Sequence, residues 1–326
     1  MSRHGMRGAR CRRIAAAAAV LVLAGTSSAC SARSAEWGDS QYEIAGGGSN
    51  GVYYAYGAEV ARELSESLGV SAAVAETAGS VDNLVRVSSG EALLGFAQGD
   101  AAADAVAGAG AFDEALPVQA VARLYDEYLH VVVRADSDIV ELGDLAGKTV
   151  SLGAENSGVN VIAARALDAA EVDITSIEDP QLDLSESISA LEGSSIDGFF
   201  WVGGIPTPGI AELAKTAPVR LVPVEQSWVT AINTRYSDAY RPSDFPVGLY
   251  GLDESVPTMA VPNYLVTSSD TPDGVVRDVL TSLFDARTEI AQRVPVASLL
   301  DRRQAIFTGP VDLHPGAIEY YRDQRD

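Results

Sequence analysis

The sequence predicts an α/β protein made of two units that are joined by two crossings of the chain. Strand-like and helix-like patterns alternate along most of its 326 residues, which is typical of α/β folds with a largely parallel sheet. A second run of the same alternation begins after residue 148, and an apolar segment near residue 257 returns the chain to the first half. The length is sufficient for two units of about 150 residues each.

Apolar periodicity and glycines at helix ends predict the individual elements. Segment 52–68 has apolar residues at helical spacing and is followed by Gly69, so it predicts a helix. We expect Ser80 to cap a second helix at 81–89. Residues 225–255 show no clear period, and no element is predicted there. The predicted strands are 42–45, 70–76, 93–97, 118–124, 129–134, 149–152, 198–202, 219–224 and 257–266, and further helices are predicted at 101–107, 159–170, 185–192, 206–216 and from 272 onward.

The first thirty residues have the pattern of a secretory signal peptide. Five arginines precede an apolar run over 14–25, which is shorter than the ~20 residues that cross a bilayer. Cys30 follows small residues and resembles the lipidated cysteine of bacterial lipoproteins, although Ser27 stands where that motif usually has an aliphatic residue. The alternative is an ordinary signal-peptidase site beside a chance cysteine. We therefore expect a signal peptide at 1–30 with Cys30 lipidated, a tether at 31–40, and a location in the periplasm or on the outer face of the cytoplasmic membrane.

Composition excludes several functional classes. Both cysteines lie in the leader, so the rest of the chain has no disulfide, thiolate metal site or cysteine nucleophile. The formal net charge of −22 argues against binding of nucleic acid or of anionic lipid, so membrane contact is expected through the lipid anchor only. Two histidines after the leader and the absence of EF-hand spacing predict no metal site, and no cofactor is expected.

Four loops rich in glycine or serine each connect a predicted strand to a predicted helix. They lie at 46–51, 77–80, 153–158 and 203–206, two in each half. A helix N-terminus presents unpaired N–H groups and about half a positive charge, which together suit an anion. Closure of the two halves could direct all four N-termini at one small anion, and Tyr53 and Trp201 could line the cleft. The alternative interpretation is that these residues simply make short turns and caps.

The first loop also fits two enzyme motifs. Residues 46–51 match the GxGxxG dinucleotide fingerprint, with Glu76 as the ribose-binding acid. The same loop matches the GxSxG nucleophile elbow, with Ser49 as the nucleophile. Neither histidine is well placed for a hydrolase triad, since His130 lies in an apolar strand and His314 lies near the chain end. An exported chain would rarely meet NAD, so we predict that the protein is not an enzyme.

Several longer stretches resemble the TAXI family, the immunogenic-protein-type solute receptors of TRAP transporters. They include GSVDNL at 79–84 and GEALLGFAQGD at 90–100, and they occur in family order across nearly the whole chain after the leader. The others are 46–54, 129–134, 144–153, 196–204, 206–208, 313–317 and 320–321. The sequence departs from the family pattern at Ser49-Asn50, Ala55 and Val159, which concerns the identity of the ligand more than the position of the site.

The resemblance implies a type II periplasmic-binding-protein fold whose two lobes close about a hinge on a ligand in the cleft between them. Lobe one would comprise 41–128 plus 258–326, and lobe two 129–257. It also implies a small organic anion, such as a dicarboxylate or glutamate, delivered to TRAP permease membrane subunits. A sensor that docks to a membrane signalling partner is the alternative. The implied ligand contacts are Gly48, Ser49, Asn50, Gly51, Tyr53, Ser80 and Gln98 in lobe one, and Asn156, Ser157, Gly158, Trp201 and Gly203 in lobe two.

Overall fold

A computed structural model describes residues 36–38 and 40–324. The predicted signal peptide with Cys30 lies outside the described residues, as does most of the predicted tether. No helix among the described residues is long and apolar enough to cross a membrane. The strands are β1 (Gln41–Ala45), β2 (Ser71–Ala75), β3 (Leu94–Gln98), β4 (Val118–Arg134), β5 (Val150–Ser151), β6 (Gly198–Gly203), β7 (Val219–Leu221), β8 (Arg241–Phe245) and β9 (Val256–Ser268). The α-helices are α1 (Val52–Leu68), α2 (Ser80–Ser88), α3 (Gly99–Ala107), α4 (Gly158–Ala169), α5 (Leu184–Glu192), α6 (Pro208–Thr216), α7 (Gln226–Arg235), α8 (Asp273–Arg293) and α9 (Pro315–Asp323).

Helix α1 illustrates how local sequence determines an element beside the cavity described below. Tyr56, Val60 and Leu64 recur every four residues and are buried, so one face of the helix packs into the core. Gly69 follows the helix with φ 68°, a left-handed conformation that glycine adopts without a clash from Cβ. The helix predicted at 52–68 is therefore confirmed.

The strands form one sheet with the order β2-β1-β3-β9-β4-β6-β5, and β7 adds to β4 while β8 adds to β9. The longest strands are β4 and β9, with 17 and 13 residues. They pair antiparallel, from Val118 opposite Ser268 to Tyr128 opposite Ala260. The C-terminal part of β9 pairs with β3, and the C-terminal part of β4 pairs with β6. These two strands are the two crossings that join the halves of the molecule.

Two predictions about the sheet are wrong. The sheet is not largely parallel: among the described strands, β1–β2, β1–β3 and β5–β6 are parallel, and the other five pairs are antiparallel. The reason is that β4 and β9 run antiparallel to each other and to every other strand they pair with. The strands predicted at 118–124 and 129–134 are one continuous strand, which is irregular near Ala120–Ala122 and Arg123–Tyr125.

Hydrophobic clusters form separately in the two halves. In the first half, Ile44, Tyr56 and Phe96 pack with Val279 of α8, so the core combines segments from both ends of the chain. In the other half, a cluster that includes Phe200 draws on β4, α4, β6, α7 and β9. Helix α7 and strand β8 occupy 225–255, where the sequence predicted no element. The lobe boundaries at 128/129 and 257/258 stay a prediction, because β4 and β9 continue through the region without a break.

Candidate functional site

A cavity of about 370 Å³ lies where the sheet's strands lead into the glycine and serine loops. This volume is within the range of about 300–1,000 Å³ that is usual for small-molecule sites. Its position beyond the carboxyl ends of β1, β2, β3, β5 and β6 is where open α/β sheets bind ligands. The lining residues are Gly46, Gly47, Gly48, Ser49, Asn50, Gly51, Val52, Tyr53, Glu76, Thr77, Ala78, Gly79, Ser80, Gln98, Glu127, Gly153, Ala154, Ser157, Gly158, Val159, Leu182, Asp183, Leu184, Ser185, Glu186, Phe200, Trp201, Val202 and Gly203.

The first loop, 46–51, makes a tight turn from β1 into α1. Gly47 has φ 67°, a left-handed backbone conformation that glycine adopts without a clash from a Cβ atom. The backbone N–H of Ser49 donates to Oε1 of Glu76 at 3.0 Å, and this bond holds the pKa of Glu76 below its usual value. The first N–H groups of α1, from Val52 and Tyr53, have no acceptor within the helix. Glu76 thus anchors the loop, while these amides border the cavity.

The second loop, 77–80, leads from β2 into α2. The N-terminal cap of α2 is Gly79 and Ser80 is the first helical residue, so the predicted cap at Ser80 is wrong. Ser80 instead accepts a hydrogen bond at Oγ from the backbone N–H of Gln98, at 3.1 Å. This bond fixes the end of β3 beside the start of α2. Both residues are buried and both line the cavity.

The third loop, 153–158, brings the second half of the molecule against the first. Ser157 caps α4 by accepting from the N–H of Asn160 at 3.1 Å. Gly158 packs so closely that an added Cβ would overlap Oε1 of Gln98 and lie 2.8 Å from Oγ of Ser80. Only glycine therefore permits this approach of α4 to the first half.

Helix α5, not α6, supplies the fourth helix N-terminus at the cavity. Only Gly203 of the predicted loop 203–206 lines the cavity, whereas residues 182–186 at the start of α5 all do. Asp183 caps α5 through a reciprocal capping box with Glu186. At the rim, Nδ2 of Asn50 donates to Oγ of Ser185 at 2.5 Å, which links the first loop to α5.

Two aromatic side chains contribute flat surfaces to the cavity. Tyr53 stacks on Phe96 with ring centroids 5.4 Å apart, so its ring position is fixed by the core. Trp201 donates from Nε1 to Oγ1 of Thr207 at 3.2 Å. Gly203 lies against this indole, where a Cβ would be 2.6 Å from Nε1. The predicted placement of Tyr53 and Trp201 in the cavity wall is what the structure gives.

Glu127 of β4 is the main cavity residue that sequence reasoning missed. Its side chain is 1 % exposed and lines the cavity. Oε2 accepts from the hydroxyl of Tyr53 at 2.6 Å and from Nδ2 of Asn263 at 3.5 Å. Burial raises the pKa of Glu127 to about 8, although these hydrogen bonds oppose the shift. The signal that the sequence offered for Glu127 was a charged residue between two apolar strand segments.

The lining is acidic. Glu76, Glu127, Asp183 and Glu186 contribute carboxyl groups, and none of the lining residues is arginine, lysine or histidine. Any positive potential for an anion must therefore come from helix N-termini and backbone N–H groups. No group of three or more His, Cys, Asp and Glu side chains in the described part of the chain is placed to hold a metal ion.

The structure brings eleven of the twelve predicted contact residues to the cavity wall. Asn156 is the exception, because it is absent from the lining and its carbonyl oxygen accepts from the N–H of Asp82 at 3.4 Å. Its φ of 61° turns the third loop back toward α4. That the other eleven contact a ligand stays a prediction.

The sheet order, the two long crossing strands and the cavity between the halves define a periplasmic-binding-protein fold. Residues 44–324 match the NMT1-like family, and the chain belongs to that family. PhnD1 from Prochlorococcus marinus (MIT 9301), solved in complex with methylphosphonate, has a similar fold, with a TM-score of 0.53 at 10% identity over 88% of this chain and 97% of that one. A periplasmic transporter gives 0.52 at 14% identity over 87% and 92%. A protein from Bordetella bronchiseptica RB50 gives 0.51 at 16% identity over 86% and 88%.

Proposed function

We propose that this chain is an extracytoplasmic solute-binding receptor of the TAXI type, which captures a small organic anion and delivers it to TRAP permease membrane subunits. One observation carries the proposal: loops from both halves of the molecule border a single cavity beside the crossing strands. A cavity with walls from two halves can close on a solute and open to release it. Membership of the NMT1-like family and the periplasmic-binding-protein fold support the same conclusion.

In this proposal, backbone N–H groups at the cavity bind the anionic group of the solute. Helices α1, α2 and α4 begin at the cavity. The third N–H group is already bonded in α2, to the carbonyl oxygen of Asn156, and in α4, to Oγ of Ser157. The N–H groups of the first two residues of each helix have no acceptors within the helices. Such donors bind a carboxylate locally even though the chain has a net charge of −22. Dicarboxylates and acidic amino acids such as glutamate are the solute classes that the sequence resemblance suggests.

Catalysis and a resident cofactor are not part of the proposal. Ser49 has no histidine beside it, because neither His130 nor His314 lines the cavity. His130 is buried, with Nδ1 2.8 Å from the carbonyl oxygen of Tyr128, and burial lowers its pKa to about 4. Glu76, the acid required by a dinucleotide site, is occupied by the amide of Ser49.

Attachment to the membrane completes the proposal. Export by the signal peptide and lipidation of Cys30 would hold the receptor at the outer face of the cytoplasmic membrane, close to its permease. Mass spectrometry of protein from the membrane fraction tests this point. The expected product begins at a diacylated Cys30. Recovery of the protein in the soluble fraction with an unmodified N-terminus would contradict the proposal.

A thermal-shift screen of the refolded, ligand-stripped protein tests the receptor function. Carboxylates, amino acids, sugars and NAD would be compared at equal concentrations. A true solute at about 100 times its dissociation constant adds about 2.7 kcal/mol of stability, which raises the midpoint by roughly 5 °C. A response to one small class of carboxylates supports the proposal. A response to NAD alone, or to no compound, would contradict it.

A further inference from the structure

Glu127 is a buried acid without a basic partner in the cavity wall. It lies on the crossing strand β4 and is 1 % exposed. Among the described residues, its carboxyl group accepts hydrogen bonds from Tyr53 and Asn263, and the side chains of Gln98 and Tyr125 also lie beside it, so the surrounding partners are neutral. A buried carboxyl group either keeps its proton or pairs with a cation, because an unpaired buried charge is strongly unfavourable. A cation on the solute would therefore be stabilised beside the ionised form of Glu127.

Gln98, which lies beside Glu127, provides a second acceptor in the same wall. Its side chain is 2 % exposed, and its Oε1 atom is buried without a hydrogen-bond partner among the described residues. A buried carbonyl oxygen without a donor costs free energy, so unsatisfied atoms of this kind are rare in native proteins. Gly158 lies against this oxygen and Ser80 fixes the backbone of Gln98. Gln98 itself is one of the residues that line the cavity.

We propose that Glu127 and Oε1 of Gln98 receive a protonated amine of the solute. The inference rests on the proposed receptor function and narrows its ligand class. An ammonium group has three donors and no acceptor, which matches a wall that presents a carboxylate and an unpaired carbonyl oxygen. The aromatic rings of Tyr53 and Trp201 add surfaces that attract a cation. A metal ion is a poorer match, because no cluster of ligands is placed for it in the part of the chain that the structure describes.

The environment of Glu127 also predicts a proton signal on binding. Burial raises its pKa to about 8, so the carboxyl group holds a proton at neutral pH in the absence of a cation. An ammonium ion beside it would lower this pKa and release the proton. Arg165 does not supply the missing charge, since it pairs with Asp100 and Asp104. The groups that face Glu127 are Tyr53 of α1, Tyr125 of β4, Gln98 at the end of β3, Asp100 of α3 and Asn263 of β9.

Calorimetric titration of the full chain tests the inference, with the protein amino acids, putrescine and succinate as probes. We expect binding by at least one amine-bearing probe and none by succinate, which has two carboxylates and no amine. If an amino acid binds and putrescine does not, the site requires an amine that is accompanied by a carboxylate. Binding of putrescine identifies the amine alone as sufficient. Titrations in buffers of different ionisation enthalpy should show proton release near neutral pH.

The Glu127→Gln variant isolates the proposed contact. It keeps the size of the side chain and an acceptor for Tyr53, so we expect it to fold. It should weaken binding of the amine-bearing probe by at least about 30-fold and abolish proton release. Asp126→Asn is the matched control, because it removes the same charge one residue away, where Asp126 pairs with Arg123 outside the cavity lining. Its affinity should stay within about twofold of the unchanged protein.

The possible outcomes separate this inference from the receptor proposal. Succinate binding with equal affinity to the unchanged protein and to Glu127→Gln would overturn the amine assignment and leave the receptor standing. Equal binding of an amine-bearing probe to both proteins would likewise overturn the assignment and leave the receptor standing. If no amine-bearing probe binds, the amine assignment fails. If the carboxylate screen is silent as well, the receptor proposal fails with it.

Discussion

The hydroxyl group of Tyr53 donates a hydrogen bond of 2.6 Å to Oε2 of Glu127, and this bond joins helix α1 to the crossing strand β4. Tyr53 also stacks on Phe96, so the bond connects the cavity wall to the core of the first half. A solute that contacts Glu127 would therefore act on the strand that links the two halves. This bond would connect the site directly to the closure of the two halves that we propose.

The first prediction concerns pH. The folded state keeps the proton of Glu127 to about pH 8, against an ordinary pKa of 4.5. Its stabilising contribution is full below about pH 4.5 and is lost as the pH rises to about 8. Relative to Glu127→Gln, the free energy of unfolding should fall across this window by at most about 1.4 kcal/mol per pH unit. Urea denaturation of both proteins measures the difference, and a constant difference would contradict the prediction.

The second prediction concerns closure of the halves. In Gly158→Ala the new Cβ would overlap Oε1 of Gln98, so α4 could no longer approach the first half. We expect affinity for the compound identified in the thermal screen to fall by about tenfold or more. Small-angle scattering should show less compaction on ligand addition than in the unchanged protein. Gly143→Ala is the control, because its Cβ would meet only Oε1 of Glu141 at 3.5 Å. Equal affinities in the two variants would refute the steric argument.

The third prediction concerns the rim. Asn50 is exposed and Ser185 is half-buried, and they share one hydrogen bond between the first loop and α5. Asn50→Ala and Ser185→Ala should each weaken ligand binding by about two- to twelvefold, because a net hydrogen bond contributes about 0.5–1.5 kcal/mol. The double variant should lose no more than either single one. Additive losses in calorimetry would mean that each residue acts separately.

The fourth prediction concerns a buried ion pair between helices α3 and α4. Arg165 donates to Oδ2 of Asp100 at 3.1 Å, and both side chains are buried. Arg165→Met leaves Asp100 uncompensated and should lower the free energy of unfolding by about 3–5 kcal/mol. Arg235 forms a comparable but exposed pair with Asp168 at 2.7 Å, so Arg235→Met should cost less than about 1 kcal/mol. Similar urea midpoints for the two variants would show that burial does not distinguish these pairs.

The sequence predicted those features that local chemistry determines. Helix α1 has its predicted limits, because apolar spacing and Gly69 specify both its face and its end. The loops at 46–51 and 153–158 lie at the cavity, since glycine-rich turns follow strands whose carboxyl ends face the same region. The α/β class followed from the alternation of strand and helix signals, whereas the two-lobed fold was expected from the family resemblance. In each of these cases the signal lies within a short segment.

The features that were missed depend on contacts between distant segments. Glu127 fell in a predicted gap, although pairing with β9 extends β4 through that gap. Helix α5 was predicted, but nothing in its own residues indicated that Ser185 would face Asn50. The antiparallel character of the sheet likewise arises from the pairing of β4 and β9 with strands from distant parts of the chain. Local periodicity carries no information about such partners.

The pairing of β3 with β9 has a consequence for biosynthesis. Gly95 lies opposite Val266, and the core around Tyr56 includes Val279 of α8. A growing chain therefore exposes this apolar surface until its last quarter has emerged, and the first half cannot become stable on its own before then. A chain that stays incompletely folded for so long is easily threaded through a narrow pore. Late completion of the amino-terminal half is thus compatible with the export that we propose for this chain.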